Sequence, residues 1–295
     1  MILKERDSRE RDIIELKRLL AYDLTPKQRF LIEREIASIK KGESGEDDSA
    51  YYINFYYGDS KRWVVIHDLR IELNGKVAQI DHILINRLFD IYVLESKNYR
   101  YGIRITGTGE FEVYYRGHYI GIPSPLEQNK RHIVLLAELI KRHRLMPTRL
   151  SIPISPNFLN YVLMSPSSVI KRPPKRQFDS SNVIKADTLN TVIEQRVDGI
   201  GVLDAVSSLA KMVPFSDIKE FGRRLVRFHR PSSIDWKKKF GIVDQRGQKQ
   251  KKASRYFCAR CKASISEKEA QFCWNNRQRF KGRAFCYNCQ KKVRP

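Results

Sequence analysis

Three apolar runs joined by very short turns constrain this chain more than any other feature. Trp63 to Leu73, Val77 to Ile85 and Ile91 to Lys97 are rich in β-branched and aromatic residues, with Asn74-Gly75 between the first two and Asn86 to Asp90 between the last two. An Asn-Gly step flanked by such runs is a strong hairpin signal. Three consecutive antiparallel strands are therefore predicted. Around them the 3.6-residue periodicity predicts helices. Residues 4–41 read as an exposed antiparallel helical pair, whose second member starts at Thr25-Pro26 with a cap and a proline at its first position. A third helix is expected from about Ser44 to Tyr57, and another from Leu126 to Arg144. Ile103 to Ile105 and Phe111 to Tyr115 form a hairpin around Gly107-Thr108-Gly109, and Leu150 to Ile154 and Tyr161 to Met164 are further strands. After a loop rich in Pro, Lys and Arg, Ser165 to Ser181, two or three helices end near His229. The fold class is α/β, a mixed central sheet flanked by helices. The aromatic run Tyr51, Tyr52, Phe55, Tyr56, Tyr57 reads as core with one wet edge.

Charge divides the chain. The formal net charge is +23 over 295 residues, but Arg223 to Pro295 hold 22 basic and 4 acidic residues, so the rest is nearly neutral. A basic tail of this kind suits phosphates, in nucleic acid or on an anionic membrane. The apolar stretches are too short for a membrane span, and Met1 to Arg11 is too charged to lead into a signal-peptide core. A cytoplasmic location is expected. The last helix of the body carries Lys219, Arg223 and Arg227 at i, i+4 and i+8, opposite Ile218, Phe221, Leu225 and Phe228, which is a basic amphipathic pattern.

All five cysteines lie in the last 38 residues. Cys258-Ala-Arg-Cys261 and Cys286-Tyr-Asn-Cys289 stand 24 residues apart, the spacing of a four-thiolate structural Zn²⁺ site with a hairpin or short sheet between its knuckles. Cys273 is a fifth thiol with no place in a four-coordinate site and is read as core. So small a module needs its metal to fold. Its remaining residues are basic and aromatic. Arg277, Arg279, Lys281 and Arg283 are candidate phosphate contacts, and about half of the rings are expected to form the small core. The stretch Gln245 to Lys252 has no apolar periodicity and reads as a linker. The expected organisation is an N-terminal helical extension (1–41), a body (42–229), a basic linker (230–255) and a zinc ribbon (256–295).

Asp81, Glu95 and Lys97 interrupt otherwise apolar strands. Side chains alternate along a strand, so Glu95 and Lys97 share a face with Ile91 and Val93. If the second and third strands form a hairpin centred on Leu88, position i pairs with 176 − i, and Asp81 lies opposite Glu95. Two carboxylates so close repel unless a cation sits between them, and oxygen ligands suit Mg²⁺. Taken alone, Glu95-Ser96-Lys97 also reads as a salt bridge on an exposed sheet face. His67, His82, His118, His143 and His229 read as packed or surface residues. His132 follows Gln128 by one helical turn and faces the same groove.

Gly42-Glu43-Ser44-Gly45-Glu46, Gln79-Ile80-Asp81-His82, Glu95-Ser96-Lys97-Asn98 and Pro125-Leu126-Glu127-Gln128 together resemble the nuclease-related domain (NERD) family of the PD-(D/E)XK nucleases, over about residues 40–165. The resemblance implies a restriction-endonuclease-like sheet and a divalent-metal-dependent nuclease, acting on DNA and cutting internally rather than from ends. Products would carry 5′-phosphate and 3′-hydroxyl ends. Asp81 and Glu95 would be Mg²⁺ (or Mn²⁺) ligands, with Glu46 the helix-borne acidic residue, Lys97 the catalytic lysine and Gln128 the helix glutamine. Glu43, close to Glu46, is an alternative for its role. A noncatalytic nucleic-acid-binding protein on a degenerate nuclease fold is the rival reading. The N-terminal helical pair offers a surface for a homodimer, and no chemistry is visible in it.

Overall fold

The computed structural model describes residues 1–99, 102–198, 212–242 and 256–293. They fall into two compact units, Met1–Trp236 and Lys237–Pro295. In the first, strands β1 (Ile2–Lys4), β2 (Trp63–Leu73), β3 (Lys76–Asn86), β4 (Asp90–Lys97), β8 (Asn157–Met164) and β10 (Val183–Lys185) form one mixed sheet in the order β1-β2-β3-β4-β8-β10. The β2-β3-β4 meander is antiparallel, as the turns require, and β1, β8 and β10 add parallel to their neighbours. Helix α3 (Pro125–Arg142) is the crossover between parallel β4 and β8. It starts where Ser124 caps the Glu127 N–H and Pro125 occupies the first turn.

Apolar side chains cover both sheet faces. On one, Leu135, Leu136, Leu139 and Ile140 of α3 and Ile218, Phe221 and Leu225 of α5 (Phe215–Val226) pack on Val64, Ile66, Ile83, Ile85, Ile91 and Val93. On the other, Ile53 and Tyr57 of α2 (Pro26–Tyr57) and Leu189 and Ile193 of α4 (Leu189–Asp198) pack on Val65, Leu84, Tyr92 and Leu94. A second sheet, β5 (Ile103–Ile105), β6 (Phe111–Tyr115), β7 (His118–Ile122) and β9 (Ile170–Lys171), is inserted largely between β4 and α3.

The N-terminus departs from the expected helical pair. Ile2–Lys4 is a strand, α1 runs only over Glu10–Leu19, and α2 continues through Ser44 to Tyr57 without a break. Gly42 and Gly45 lower helix propensity, but a capping box at Thr25 and Gln28 and the burial of Ile32, Ile39 and Ile53 carry the helix through them. The Leu150 to Ile154 strand shrinks to the pair Thr148–Arg149 and Ile152–Pro153, because Leu150 and Ser151 take positive φ. Of the aromatic run, Tyr57 is buried while Tyr51, Phe55 and Tyr56 are exposed. Residues 199–211 of the expected helical run and 243–255 of the expected linker lie outside the described residues.

Candidate active site

The pairs of β3 and β4 each sum to 176, from Ile85↔Ile91 to His82↔Leu94. The ladder ends there, with Asp81 and Glu95 next in line. Towards β2, His67↔His82 and Leu69↔Ile80 are paired but Asp68 and Asp81 are skipped. Asp68 takes φ 50°, a left-handed conformation that Asp tolerates. The kink puts Ile66 and Leu69, and likewise Ile80 and Ile83, in the same core, which breaks regular alternation. Released from the ladder, Asp81 accepts the Ser96 backbone N–H on Oδ2 at 2.8 Å.

Lys97 Nζ donates to Glu95 Oε1 at 2.6 Å, and Gln128 Nε2 donates to the same oxygen at 2.7 Å. Gln128 arrives there because its neighbour Asn129 is buried and pins α3 to the sheet. The Asn129 amide reaches Val93 O at 2.7 Å, Asn160 Oδ1 at 2.9 Å and Tyr161 O at 3.2 Å. The other oxygen of Glu95, Oε2, is buried without a hydrogen-bond partner. His132 Nδ1 stands 3.5 Å from it. Burial, then the charges of Lys97 and Arg131, lower the His132 pKa to about 4, so the ring is neutral and makes no ion pair.

Glu46 enters from α2. A Cβ on the preceding Gly45 would stand 2.6 Å from Asn98 Cβ, so the glycine lets the helix approach the end of β4. Glu46, Asp81, Glu95 and Lys97 line one pocket of about 380 Å³ with Ser38, Lys41, Asn98 and Tyr99. Glu43, the alternative to Glu46, does not line it and accepts the Arg9 N–H instead. Arg6, from the N-terminal arm, donates through Nη2 to Glu46 Oε2 at 2.9 Å and also pairs with Asp47. No sequence signal marks Arg6 as part of this site.

The carboxylates load one another. Burial, then repulsion by Glu95 and Glu46, holds the Asp81 pKa well above its usual value against the Ser96 N–H and Lys97. Burial also raises Glu46, opposed by Arg6 and reinforced by Asp68 and Glu95. Glu95 is raised by burial, with Lys97 and Gln128 opposing. Burial acts to lower the Lys97 pKa, but Glu95 and Asp81 outweigh it and keep the ammonium charged. Glu46, Asp68, Asp81 and Glu95 face Lys41, Lys97 and Arg6, a formal excess of one negative charge. That balance and the unpartnered Glu95 Oε2 fit one divalent cation, for which one or two carboxylates plus waters suffice.

This loading has a measurable consequence. Asp81 has a folded-state pKa above its unfolded value, so its stabilising contribution is present at low pH and lost as pH rises through the folded pKa. At neutral pH the carboxylate therefore destabilises the fold. Asp81→Asn keeps an oxygen for the Ser96 N–H and is expected to raise Tm at neutral pH. The gain should grow between pH 5 and pH 8. Melting of the zinc-loaded protein without added Mg²⁺ or Mn²⁺ at both pH values tests this, and a lower Tm for the variant at pH 8 contradicts it.

Beneath the site runs a buried polar chain. Asn54 Oδ1 accepts from His67 Nε2 at 2.9 Å, so His67 Nδ1 accepts from His82 Nδ1 at 2.7 Å, and His82 Nε2 accepts from Ser96 Oγ at 3.0 Å. Burial first, then nearby positive charge, lowers the His67 pKa to about 4, as a neutral chain requires. His67 and His82 thus hold Ser96, whose backbone N–H holds Asp81. Among the candidate phosphate contacts on α5, Arg223 and the flanking Arg227 are exposed and Lys219 is half-buried.

The second unit contains the cysteine cluster. Cys258, Cys261, Cys286 and Cys289 place their sulfurs within 4.8 Å of one another. Among the described residues they are the one set of three or more Cys, His, Asp or Glu side chains that converges so closely. Cys261 and Cys286 Sγ are 3.7 Å apart, against an edge of about 3.8 Å for a tetrahedron with Zn–S near 2.3 Å. Burial pushes the Cys258 thiol up, but backbone N–H groups of Cys261, Cys286 and Arg260 outweigh it and pull its pKa to about 6. Cys273 lies outside the cluster, buried, accepting the Phe285 N–H at 3.3 Å. The expected hairpin between the knuckles is replaced by helix α6 (Glu267–Asn275), which a Ser266–Glu269 capping box starts. The strand pair Tyr256–Phe257 and Ser264–Ile265 instead flanks the first knuckle. Arg277, Lys281 and Arg283 are exposed, whereas the Arg279 guanidinium bonds Gln290 O and Val293 O.

In this mixed α/β domain, carboxylates and a lysine at the splayed end of a strand pair are joined by a glutamine from the crossover helix. Residues 41–158 match the family model of the nuclease-related domain, NERD. The match leaves out the arm that bears Arg6 and the four-cysteine module, which fits a zinc ribbon. No curated protein and no solved structure matches the chain. No helix among the described residues is long and apolar enough to cross a membrane.

Proposed function

We propose that the protein is a divalent-metal-dependent nuclease that hydrolyses phosphodiester bonds in DNA, more readily within a strand than at its end. In this reading residues 42–229 form the hydrolytic body, and a Zn²⁺-bound ribbon at 256–295, reached through a linker, adds affinity for the substrate. The observation that carries the reading is the meeting of Lys97, Glu95 and Gln128 beside Asp81.

Asp81 and Glu95, with Glu46 at the rim, are the residues to hold Mg²⁺ or Mn²⁺. The bound ion would supply Lewis acidity at a phosphate oxygen and a more acidic water. The chain's own groups do the rest. Lys97 offers a charged donor to the negative charge that develops on the phosphate. Gln128 fixes the orientation of Glu95 so that Oε2 stays turned to the site. Ser96 holds Asp81. Purified protein should cut DNA with Mg²⁺ or Mn²⁺ and stop in EDTA. Tight binding without cleavage, across metals and substrate forms, would instead favour a noncatalytic nucleic-acid-binding protein.

Arg6 takes part as the counter-charge that positions Glu46. A double-mutant cycle isolates this role. Arg6→Ala and Glu46→Gln are each expected to slow cleavage by about 10- to 100-fold, the loss typical of a misplaced site group. The double variant should be no slower than Glu46→Gln alone. If the two losses multiply, Arg6 works independently of Glu46.

A further inference from the structure

The β6–β7 hairpin belongs to the sheet inserted between Lys97 and Gln128. Its root is tied to both. The inner face of this sheet, Ile103, Ile105 and Phe111, packs with Tyr99 and Leu126, each two residues from one of those site residues. Beyond that core the hairpin leaves two of its rings part-exposed, and the Arg116 guanidinium stands 5.2 Å from the Tyr115 ring centroid. Tyr114 and Tyr115 are 44% and 48% exposed. Alternation puts them on opposite faces of the ribbon. Tyr114 meets Tyr119 edge-on with ring centroids 5.2 Å apart, and the Arg104 guanidinium covers Tyr119 at 3.6 Å.

The tip is Arg116-Gly117, a two-residue turn closed by the Tyr115↔His118 pair. Both residues have positive φ, 47° and 90°. Such a turn favours Asn-Gly, and an arginine there is a costly choice that points to a use for its charge. Further back, Gly121 has open space above it where any other residue would set a side chain. Glycine within a strand often marks the close approach of a ligand. Among the acidic residues of this face, Glu112 is already paired with Arg104. Arg116 and Lys171 therefore remain as charge to be matched by an anion.

We propose that this ribbon is a second nucleic-acid contact of the protein, which stacks unpaired bases on Tyr114 and Tyr115 and takes their phosphates on Arg116 and Lys171. It rests on the nuclease reading for its purpose, since it would present a single-stranded stretch beside the cut. Rings that accept any base and cations that follow the backbone suit single strands without sequence preference. A base-paired duplex keeps its ring faces stacked internally and does not use the rings.

The test is equilibrium binding by fluorescence anisotropy, with the full, zinc-loaded chain and no added Mg²⁺ or Mn²⁺, so that nothing is cut and the cysteine module keeps its metal. Oligothymidylate and a blunt duplex are the probes. Tyr114→Ala/Tyr115→Ala is expected to weaken oligothymidylate binding about five-fold or more and to leave the duplex within two-fold. Tyr114→Phe/Tyr115→Phe keeps the rings and should bind as wild type, which separates stacking from misfolding. Arg116→Ala/Lys171→Ala should lower the salt slope for the single strand by about 1.4. Unchanged affinity in the alanine pair, or an equal loss on the duplex, overturns the proposal. Failure of the wild type to cleave with any metal would sink the nuclease reading and leave this binding result standing.

Discussion

Lys97→Ala is expected to lower DNA cleavage by about 10³-fold while changing DNA affinity less than two-fold. The size follows from removing one preorganised, charged donor from a site that excludes most of the surrounding water. Lys97 Nζ lies 2.6 Å from Glu95 Oε1, and its side chain is 23% exposed. Glu95 and Asp81 raise the ammonium's pKa against its own burial, so it is a charged donor at neutral pH. Lys97→Arg should not restore activity, because the planar guanidinium is bulkier and directs its donors elsewhere. Single-turnover cleavage of a labelled substrate at saturating Mg²⁺ measures the effect, and anisotropy with the same substrate without added Mg²⁺ or Mn²⁺ measures affinity. Full activity in Lys97→Ala would falsify the site assignment, and a parallel collapse of affinity would make Lys97 a binding residue instead.

The sequence and the structure agree where local pattern decides. Strand period and turn chemistry determine the β2-β3-β4 meander, and a hairpin centred on Leu88 yields the register seen at His82↔Leu94. The helix glutamine is legible only through the family resemblance at Pro125 to Gln128, a segment that opens a helix. What escaped depends on contacts between distant segments. Arg6 meets Glu46 across 40 positions, from an arm with no amphipathic signal of its own. The chain from Asn54 through His67 and His82 to Ser96 joins a helix to three strands, and each member looks unremarkable in sequence. Asn129 sits beside Gln128, yet only the packed structure shows it reaching two strands. Sequence pattern ends one helix at residue 41 and starts another near Ser44, whereas α2 runs unbroken through Gly42 and Gly45. Gly45 is required for close approach to Asn98. In the cysteine module, ligand spacing fixes the four thiols but says little of the residues between them, and a helix fills that space.

Zinc removal should produce the other large effect, confined to one unit. The buried apolar residues of the module are Ile265, Ala270, Cys273 and Phe280, with Cys258 and Cys289 themselves, and the half-buried Tyr256 and Phe285 pack beside the cysteine cluster. So small a core cannot offset the chain entropy of about 40 residues. Structural zinc in such modules contributes roughly 10–16 kcal/mol of apparent binding free energy. Stoichiometric chelation, or Cys258→Ser, should therefore collapse the amide dispersion of residues 256–293 in a ¹H–¹⁵N spectrum of the full chain. Resonances of residues 1–236 should stay in place, because their cores do not involve the module's cysteines. Cys273→Ser is the control. Its sulfur is buried but outside the cluster, so the variant should still bind one equivalent of Zn²⁺ and lose only about 1–2 kcal/mol. If the ribbon serves the substrate as proposed, chelation also flattens the salt dependence of DNA binding, since Arg277, Lys281 and Arg283 no longer act from one surface. Dispersion that survives complete chelation would show that the fold does not depend on the metal. An unchanged salt slope alongside lost dispersion would assign the module some task other than holding DNA.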